Sequence, residues 1–216
     1  MDRKRIYCIP GLGADKRLYS RLELDAELIP IYWVEANETD SISDYAKKLL
    51  PQIKDINPTI MGVSLGGILA VEISKLIICD QLILISTIKS KKELPPYFSI
   101  VDRLPFKLNK AADWFKVHGD FLKPIYNKTN KEDLELFKAM LHDADANFLN
   151  WGVNAVAHWS FEEEIETPYI HIHGTMDLVF PTRWIENFNP IKNGSHYMIV
   201  DKSDQVSDAI AKALKL

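Results

Sequence analysis

Two cysteines among 216 residues, Cys8 and Cys79, leave little scope for disulfides or thiolate metal sites. Each sits in or beside an apolar run and reads as a small buried hydrophobe; no Cys-x-x-Cys pair occurs. Long apolar runs are also missing. None approaches the roughly 20 residues that span a bilayer. The N-terminal run Ile6-Tyr7-Cys8-Ile9 stops at Pro10, short of a signal peptide's apolar segment. There is no sustained basic stripe, zinc-finger spacing or RNA-binding signature, and the net charge is −4, so nucleic acid is not an expected partner. The short Arg3-Lys4-Arg5 cluster reads as a solvated strand flank that discourages edge pairing. No internal repeat or low-complexity tract is present. The expectation is a reduced, cytoplasmic, globular domain. Its 47% hydrophobic and 26% charged residues are ordinary for that class, and the length suffices for one domain with a sizeable core.

What the chain does have is alternation. Short apolar runs at Ile6–Ile9, Ile31–Val34, Thr59–Val63, Leu82–Ile85 and Tyr169–Ile172 predict strands. They are nearly continuous in apolar character, as strands covered on both faces are. Between them Ile42, Tyr45, Ala46, Leu49, Leu50 and Ile53 recur at helical spacing, with Ser41 or Ser43 available as the N-terminal cap. Val206, Ile210 and Leu214 predict a last helix, with Ser203 as its cap. Strand–helix alternation with short links predicts an α/β domain with a mainly parallel, doubly wound sheet. The alternation breaks between about Ile88 and Glu166, which holds helical patches such as Leu134, Phe137, Lys138, Leu141 and His142, and no convincing strand. That stretch carries Tyr97, Phe98, Phe106, Trp114, Phe115, Phe121, Tyr126, Phe137, Phe148, Trp151 and Trp159. Pro95-Pro96 and Thr167-Pro168 mark its edges, and it reads as a helical insertion after the fourth strand.

The most informative residues are Gly62-Val63-Ser64-Leu65-Gly66. They follow an apolar strand and precede an apolar, helix-compatible run, so the serine stands at the apex of a sharp strand–helix turn. Such a turn lifts its hydroxyl over the positive end of the helix. The glycines remove the Cβ atoms that would clash on either side.

A serine hydroxyl needs a base within hydrogen-bond reach, and the base needs an orienting acid. His196, in the polar turn Asn193-Gly194-Ser195-His196 before the last helix, is the candidate base. His171 and His173 alternate on a buried strand and suggest core or supporting roles, while His118, His142 and His158 fall in the insertion. Asp177, in His173-Gly174-Thr175-Met176-Asp177 after the fifth strand, is the candidate acid. A rival after the fourth strand would have to be Glu93, since Ser86-Thr87-Ile88-Lys89 supplies no carboxylate. Backbone N–H groups must also face the developing oxyanion. Leu65 offers one at the helix N-terminus, and the loop Pro10-Gly11-Leu12-Gly13 offers a second, at Leu12 or else Gly13.

The order Ser64, Asp177, His196, with the Gly-x-Ser-x-Gly turn, the Pro-Gly-Leu-Gly loop and the His-Gly-Thr-Met-Asp segment, resembles the α/β-hydrolase superfamily. The likeness covers roughly residues 5–90 and 167–216. It implies a core of residues 1–87 and 167–216 with a helical cap insertion at 88–166, and a triad that needs no metal or cofactor. Two departures stand out. The family's first two antiparallel strands have no counterpart, leaving a sheet edge that is short or covered by a partner, and the first loop reads Pro-Gly where many members have His-Gly. A serine nucleophile argues against dehalogenase or epoxide-hydrolase chemistry of the aspartate type. The resemblance implies hydrolysis of a small-molecule carboxylic ester, with a small or medium apolar acyl group suggested by the aromatic insertion. A thioesterase, amidase, acyltransferase or lyase on the same scaffold, and a small-ligand receptor, are the alternatives. A thioesterase acting on coenzyme A would favour a basic patch; Lys89, Lys91 and Lys92 are its candidates, otherwise a solvated face.

Overall fold

The structure is a computed structural model that describes residues 3–98 and 129–216. Among them six strands form one all-parallel sheet: β1 (Lys4–Ile9), β2 (Ala26–Pro30), β3 (Thr59–Val63), β4 (Gln81–Ile85), β5 (Tyr169–Gly174) and β6 (Asn189–Ile191), in the order β2-β1-β3-β4-β5-β6. No antiparallel strand precedes β1 among these residues. The helices are α1 (Ile42–Leu49), α2 (Leu65–Ser74), α3 (Lys131–Asp143), α4 (Ala146–Ala157), α5 (Met198–Asp201) and α6 (Ser203–Leu214).

The continuous apolar runs follow from this layering. Along β1, Tyr7 and Ile9 join one buried cluster with α1 and α2, while Ile6 and Cys8 join the other with α6. Both faces are dry, so neither parity of residue is polar. The chain places β2 on one side of β1 and β3 on the other. The loops leaving β1 and β3 therefore part at the sheet's carboxyl edge, which opens a crevice there.

Local signals explain the helix ends. Ser41, rather than Ser43, caps α1: its hydroxyl accepts from the Asp44 N–H, and Asp44 answers to the Ser41 N–H in a capping box. Ser203 is the first residue of α6, Lys202 precedes it, and no side chain caps that end.

Three expectations need correction. The second strand is Ala26–Pro30, not Ile31–Val34; only Ile31 extends the ladder, by donating its N–H to the Cys8 carbonyl at 2.9 Å. Glu27 is tolerated in that strand because it lies at the sheet edge, 3.3 Å from Arg5. The run after it is apolar for another reason: Trp33 leaves the sheet to pack against Phe148, ring centroids 4.6 Å apart and planes tilted by 38°. Next, Arg3-Lys4-Arg5 does not guard an edge, because β1 is interior. Arg3 pairs with Asp25 at 3.2 Å, and Arg5 with both Glu27 and Asp55. Last, Lys89 belongs to no solvated run. It is buried and paired with Glu93, and only Lys91 and Lys92 are exposed.

Cys8 and Cys79 are buried and free, and burial pushes the Cys79 thiol up to about 11 and Cys8 higher. Among the described residues no group of three His, Cys, Asp or Glu could hold a metal, and no helix is long and apolar enough to cross a membrane.

Between β4 and β5 the described residues form α3 and α4 and no strand. Phe106, Trp114, Phe115, His118, Phe121 and Tyr126 lie outside the described residues. Four of the described aromatics divide between two tasks. Phe148 and Trp151 seat α4 on the core: Tyr45 and Trp151 lie 4.3 Å apart by ring centroid, and the Trp151 indole donates to the Asp40 carbonyl at 2.8 Å. Phe98 and Phe137 instead line a cavity above Ser64.

Candidate active site

The chain leaves β3 through Ser64 at φ 54° and ψ −119°, a conformation that L side chains rarely adopt. Ser64 is nonetheless well held. Its N–H donates to the Ile85 carbonyl at 3.0 Å, and the Thr87 hydroxyl donates to its carbonyl at 2.7 Å. The flanking glycines are required by close backbone approach. A Cβ on Gly62 would fall 2.2 Å from the Gly66 carbonyl oxygen, and one on Gly66 would fall 2.0 Å from that of Ile9.

The structure brings Ser64, His196 and Asp177 together although they come from three separate loops. Ser64 Oγ lies 2.9 Å from His196 Nε2, and His196 Nδ1 lies 2.8 Å from Asp177 Oδ2. With Asp177 ionised, Nδ1 carries the ring proton and donates to the carboxylate, so Nε2 is left to accept from the serine hydroxyl. Asp177 is fully occupied. Its Oδ1 accepts the N–H groups of Val179 and Phe180, both at 2.8 Å, and His173 Nε2 stands 3.3 Å from Oδ2. Burial pushes the Asp177 carboxyl up, but the His196 charge and hydrogen bond, with help from His173 and the Phe180 N–H, outweigh it. The net result lies below the usual carboxylate range. The Phe180 ring meets the His196 ring edge-on, centroids 5.5 Å apart.

The loops that carry Asp177 and His196 are locked to one another. A Cβ on Gly174 would lie 2.3 Å from the Gly194 carbonyl oxygen, so the two backbones touch. The Met176 N–H donates to the Gly194 carbonyl and the Asn193 N–H to Thr175 Oγ1, each at 2.9 Å. Ser195 donates to Asp201 Oδ2 at 2.9 Å and accepts from the Tyr197 N–H at 3.1 Å, which braces the His196 turn from the other side.

The remaining candidates fall elsewhere. His171 and His173 are buried on β5, and burial pushes both below the ordinary histidine value. His171 Nδ1 lies 3.2 Å from Lys89 Nζ, which also donates to the Glu186 carbonyl at 2.7 Å. Glu93 is engaged by Lys89 and by the backbone N–H groups of Lys89 and Glu186. His142 and His158 are exposed. Leu12 and Leu65 line the same cavity as Ser64, and a Cβ on Gly11 would sit 3.4 Å from Ser64 Cβ, so the first loop lies against the Ser64 turn. Gly13 is a turn residue at φ 76°.

That cavity has a volume of about 220 Å³. Leu18, Phe137, Leu141, Val156, Val179 and Phe180 are among its walls, and no charged side chain lines it among the described residues. Sequence reasoning did not single out Thr87, Ser195 or Asp201. Each is a small or acidic polar residue with no motif around it, and its role depends on partners distant in the chain.

No protein-family model matches the sequence, and no curated protein does either. Solved structures do match the fold. An esterase from Exiguobacterium antarcticum superposes with a TM-score of 0.75 at 17% identity, over 99% of this chain and 92% of that one. An esterase from Thermogutta terrifontis with malate bound gives 0.74 at 15%, over 98% and 89%. An enol-lactonase from Burkholderia xenovorans gives 0.74 at 16%, over 100% and 93%. The parallel sheet, its strand order and these likenesses together show that the chain has the α/β-hydrolase fold.

Proposed function

We propose that this protein is a serine hydrolase that cleaves carboxylic esters with a small or medium apolar acyl group. One observation carries the reading: the hydrogen-bonded row Ser64–His196–Asp177 opens directly into an apolar cavity. In this reading Ser64 Oγ attacks the ester carbonyl carbon while its proton passes to His196 Nε2. Asp177 holds the imidazole in the productive tautomer and balances the imidazolium that forms. The N–H groups of Leu65 and Leu12 donate hydrogen bonds to the carbonyl oxygen as it becomes an oxyanion. The C–O bond to the alcohol then breaks, and the alcohol leaves with the proton from His196. Water, deprotonated by His196, attacks the acyl-enzyme and releases the carboxylic acid and Ser64. The steps as written use no cofactor.

Residues 88–166 act in this scheme as a helical cap on a core made of 1–87 and 167–216. The uncharged walls favour a neutral substrate. Of the three lysines that could anchor a coenzyme A phosphate, Lys89 is engaged by Glu93 and the Glu186 carbonyl, which leaves it no such role.

The test compares wild type with Ser64→Ala on p-nitrophenyl acetate and butyrate, alongside labelling by a fluorophosphonate. Loss of turnover by about 10³-fold or more, with labelling confined to Ser64, is expected. Equal turnover by the two proteins removes Ser64 from the mechanism. An unreactive Ser64 in a protein that still binds a small ligand makes it a receptor. Turnover of thioesters or amides in preference to esters reassigns the bond.

A further inference from the structure

The loop that faces Ser64 from β1 is braced on several sides. The Tyr19 hydroxyl donates to the Ile9 carbonyl at 2.6 Å, just before the loop. The Trp33 indole N–H donates to the Ala14 carbonyl at 2.8 Å, just after it. The third brace comes from α4, far away in the chain. A Cβ on Gly152 would lie 2.4 Å from Leu12 Cδ1, 3.1 Å from Cδ2 and 3.3 Å from Cγ. Leu12 therefore occupies the space that any side chain at 152 would take. Next to it, a Cβ on Gly13 would meet Leu141 Cδ1 at 3.0 Å and Leu149 Cδ2 at 3.3 Å, so α3 and α4 both press on the loop. The α4 helix is in turn fixed to the core through Trp151, Asp40 and Tyr45.

We propose that Gly152 is a positioning residue for the oxyanion-binding backbone: the gap it leaves in α4 seats the Leu12 side chain and thereby holds the Leu12 N–H beside Ser64. This rests on the reading of Leu12 as an oxyanion donor. Turning the Leu12 isobutyl tip so that its Cγ hydrogen faces a methyl group at 152 would lift the 2.4 Å contact, but it leaves Cγ at 3.3 Å and a methyl in the 3.1 Å position, both tighter than ordinary contact. Full relief requires Cγ itself to move, through χ1 or through the loop backbone that carries the N–H. Transition-state donors tolerate little displacement; about 1 Å can cost on the order of 10²-fold in rate.

The experiment measures steady-state hydrolysis of p-nitrophenyl butyrate and affinity for an aliphatic trifluoromethyl ketone. The ketone reports on the oxyanion because Ser64 Oγ bonds to its carbonyl carbon. The carbonyl π pair becomes the oxyanion and the hydroxyl proton goes to His196. For Gly152→Ala, kcat should fall by about 10- to 100-fold with KM changed less than about 2-fold, and ketone affinity should fall in step. The double variant Leu12→Ala/Gly152→Ala should turn over faster than Gly152→Ala, because the overlap is gone. Leu12→Ala alone guards against a Gly152→Ala protein that fails to fold: loosening the seat should lower kcat and ketone affinity together, whatever the wider cavity does to KM. Wild-type kcat in either single variant, or a defect seen in KM alone, overturns the proposal while Ser64 labelling keeps the hydrolase reading intact. A wild-type protein that neither labels nor turns over overturns both.

Discussion

His173 Nε2 lies 3.3 Å from Asp177 Oδ2, the same oxygen that accepts the hydrogen bond of the His196 ring N–H, and His173 and Asp177 side chains are both fully buried. His173 also stands 2.8 Å from the Phe180 carbonyl. The proton on its ring therefore belongs on Nε2, where it serves both acceptors, and Nδ1 is left buried with no hydrogen-bond partner. One imidazole thus ties β5 to both Asp177 and Phe180 of the loop that follows it.

Replacing His173 by Phe keeps an aromatic ring and removes that N–H. The Phe180 carbonyl then loses its donor, at a cost of about 1–3 kcal/mol, read from the urea unfolding midpoint. Ester turnover should fall as well, because Asp177 is less firmly placed. His173→Asn, whose amide can donate, should retain more of both.

The two buried histidines give stability a pH dependence of predictable sign. Burial holds His171 and His173 below the ordinary value, with the Lys89 charge adding to the effect at His171. The unfolded chain therefore binds more protons than the native one below the unfolded value of about 6.5. Stability should be constant above that pH and should decline as the pH drops beneath it. The slope is about 1.4 kcal/mol per pH unit for each proton taken up on unfolding. Asp177 works in the same direction in a more acidic window: its lowered carboxyl stabilises the fold above the unfolded value of about 3.9 and stops doing so as the pH falls through the folded one. Urea midpoints from pH 8 to pH 5 check the histidine part, and His171→Asn should flatten the curve.

Cavity size sets a third expectation. An apolar cavity of about 150 Å³ accommodates a benzene ring, or roughly 25 Å³ per carbon. On that scale the 220 Å³ above Ser64 accommodates about nine carbons. Over a series of p-nitrophenyl esters, kcat/KM should rise from acetate to hexanoate or octanoate and fall by dodecanoate. A flat profile would show that the acyl chain does not enter this cavity.

The fold was legible because both faces of the sheet are apolar and the strands are short. Continuous runs such as Leu82–Ile85 then have few other uses. The one misplaced strand shows the limit of that logic. At the sheet edge a charge such as Glu27 costs little, so Ala26–Pro30 lacks the buried-strand signature. The adjacent Ile31–Val34 run has it because Trp33 packs under α4. Ser64 and His196 were legible for a different reason: a glycine-flanked serine and a histidine in a polar turn depart from what local structure needs. Gly152, Thr87 and Ser195 do not depart from it. A glycine in a helix or a hydroxyl in a loop acquires meaning only from its partner, here Leu12, the Ser64 carbonyl and Asp201.

Edge strand β2 ends in Pro30, whose neighbour Ile31 turns its N–H inward to Cys8. Alternation along the strand then directs the proline nitrogen outward, where a further strand would have sought a donor. With Glu27 charged alongside, this border is a poor template for fibril growth. Among the described residues no antiparallel strand flanks this edge, and the edge carries its own protection against self-templating.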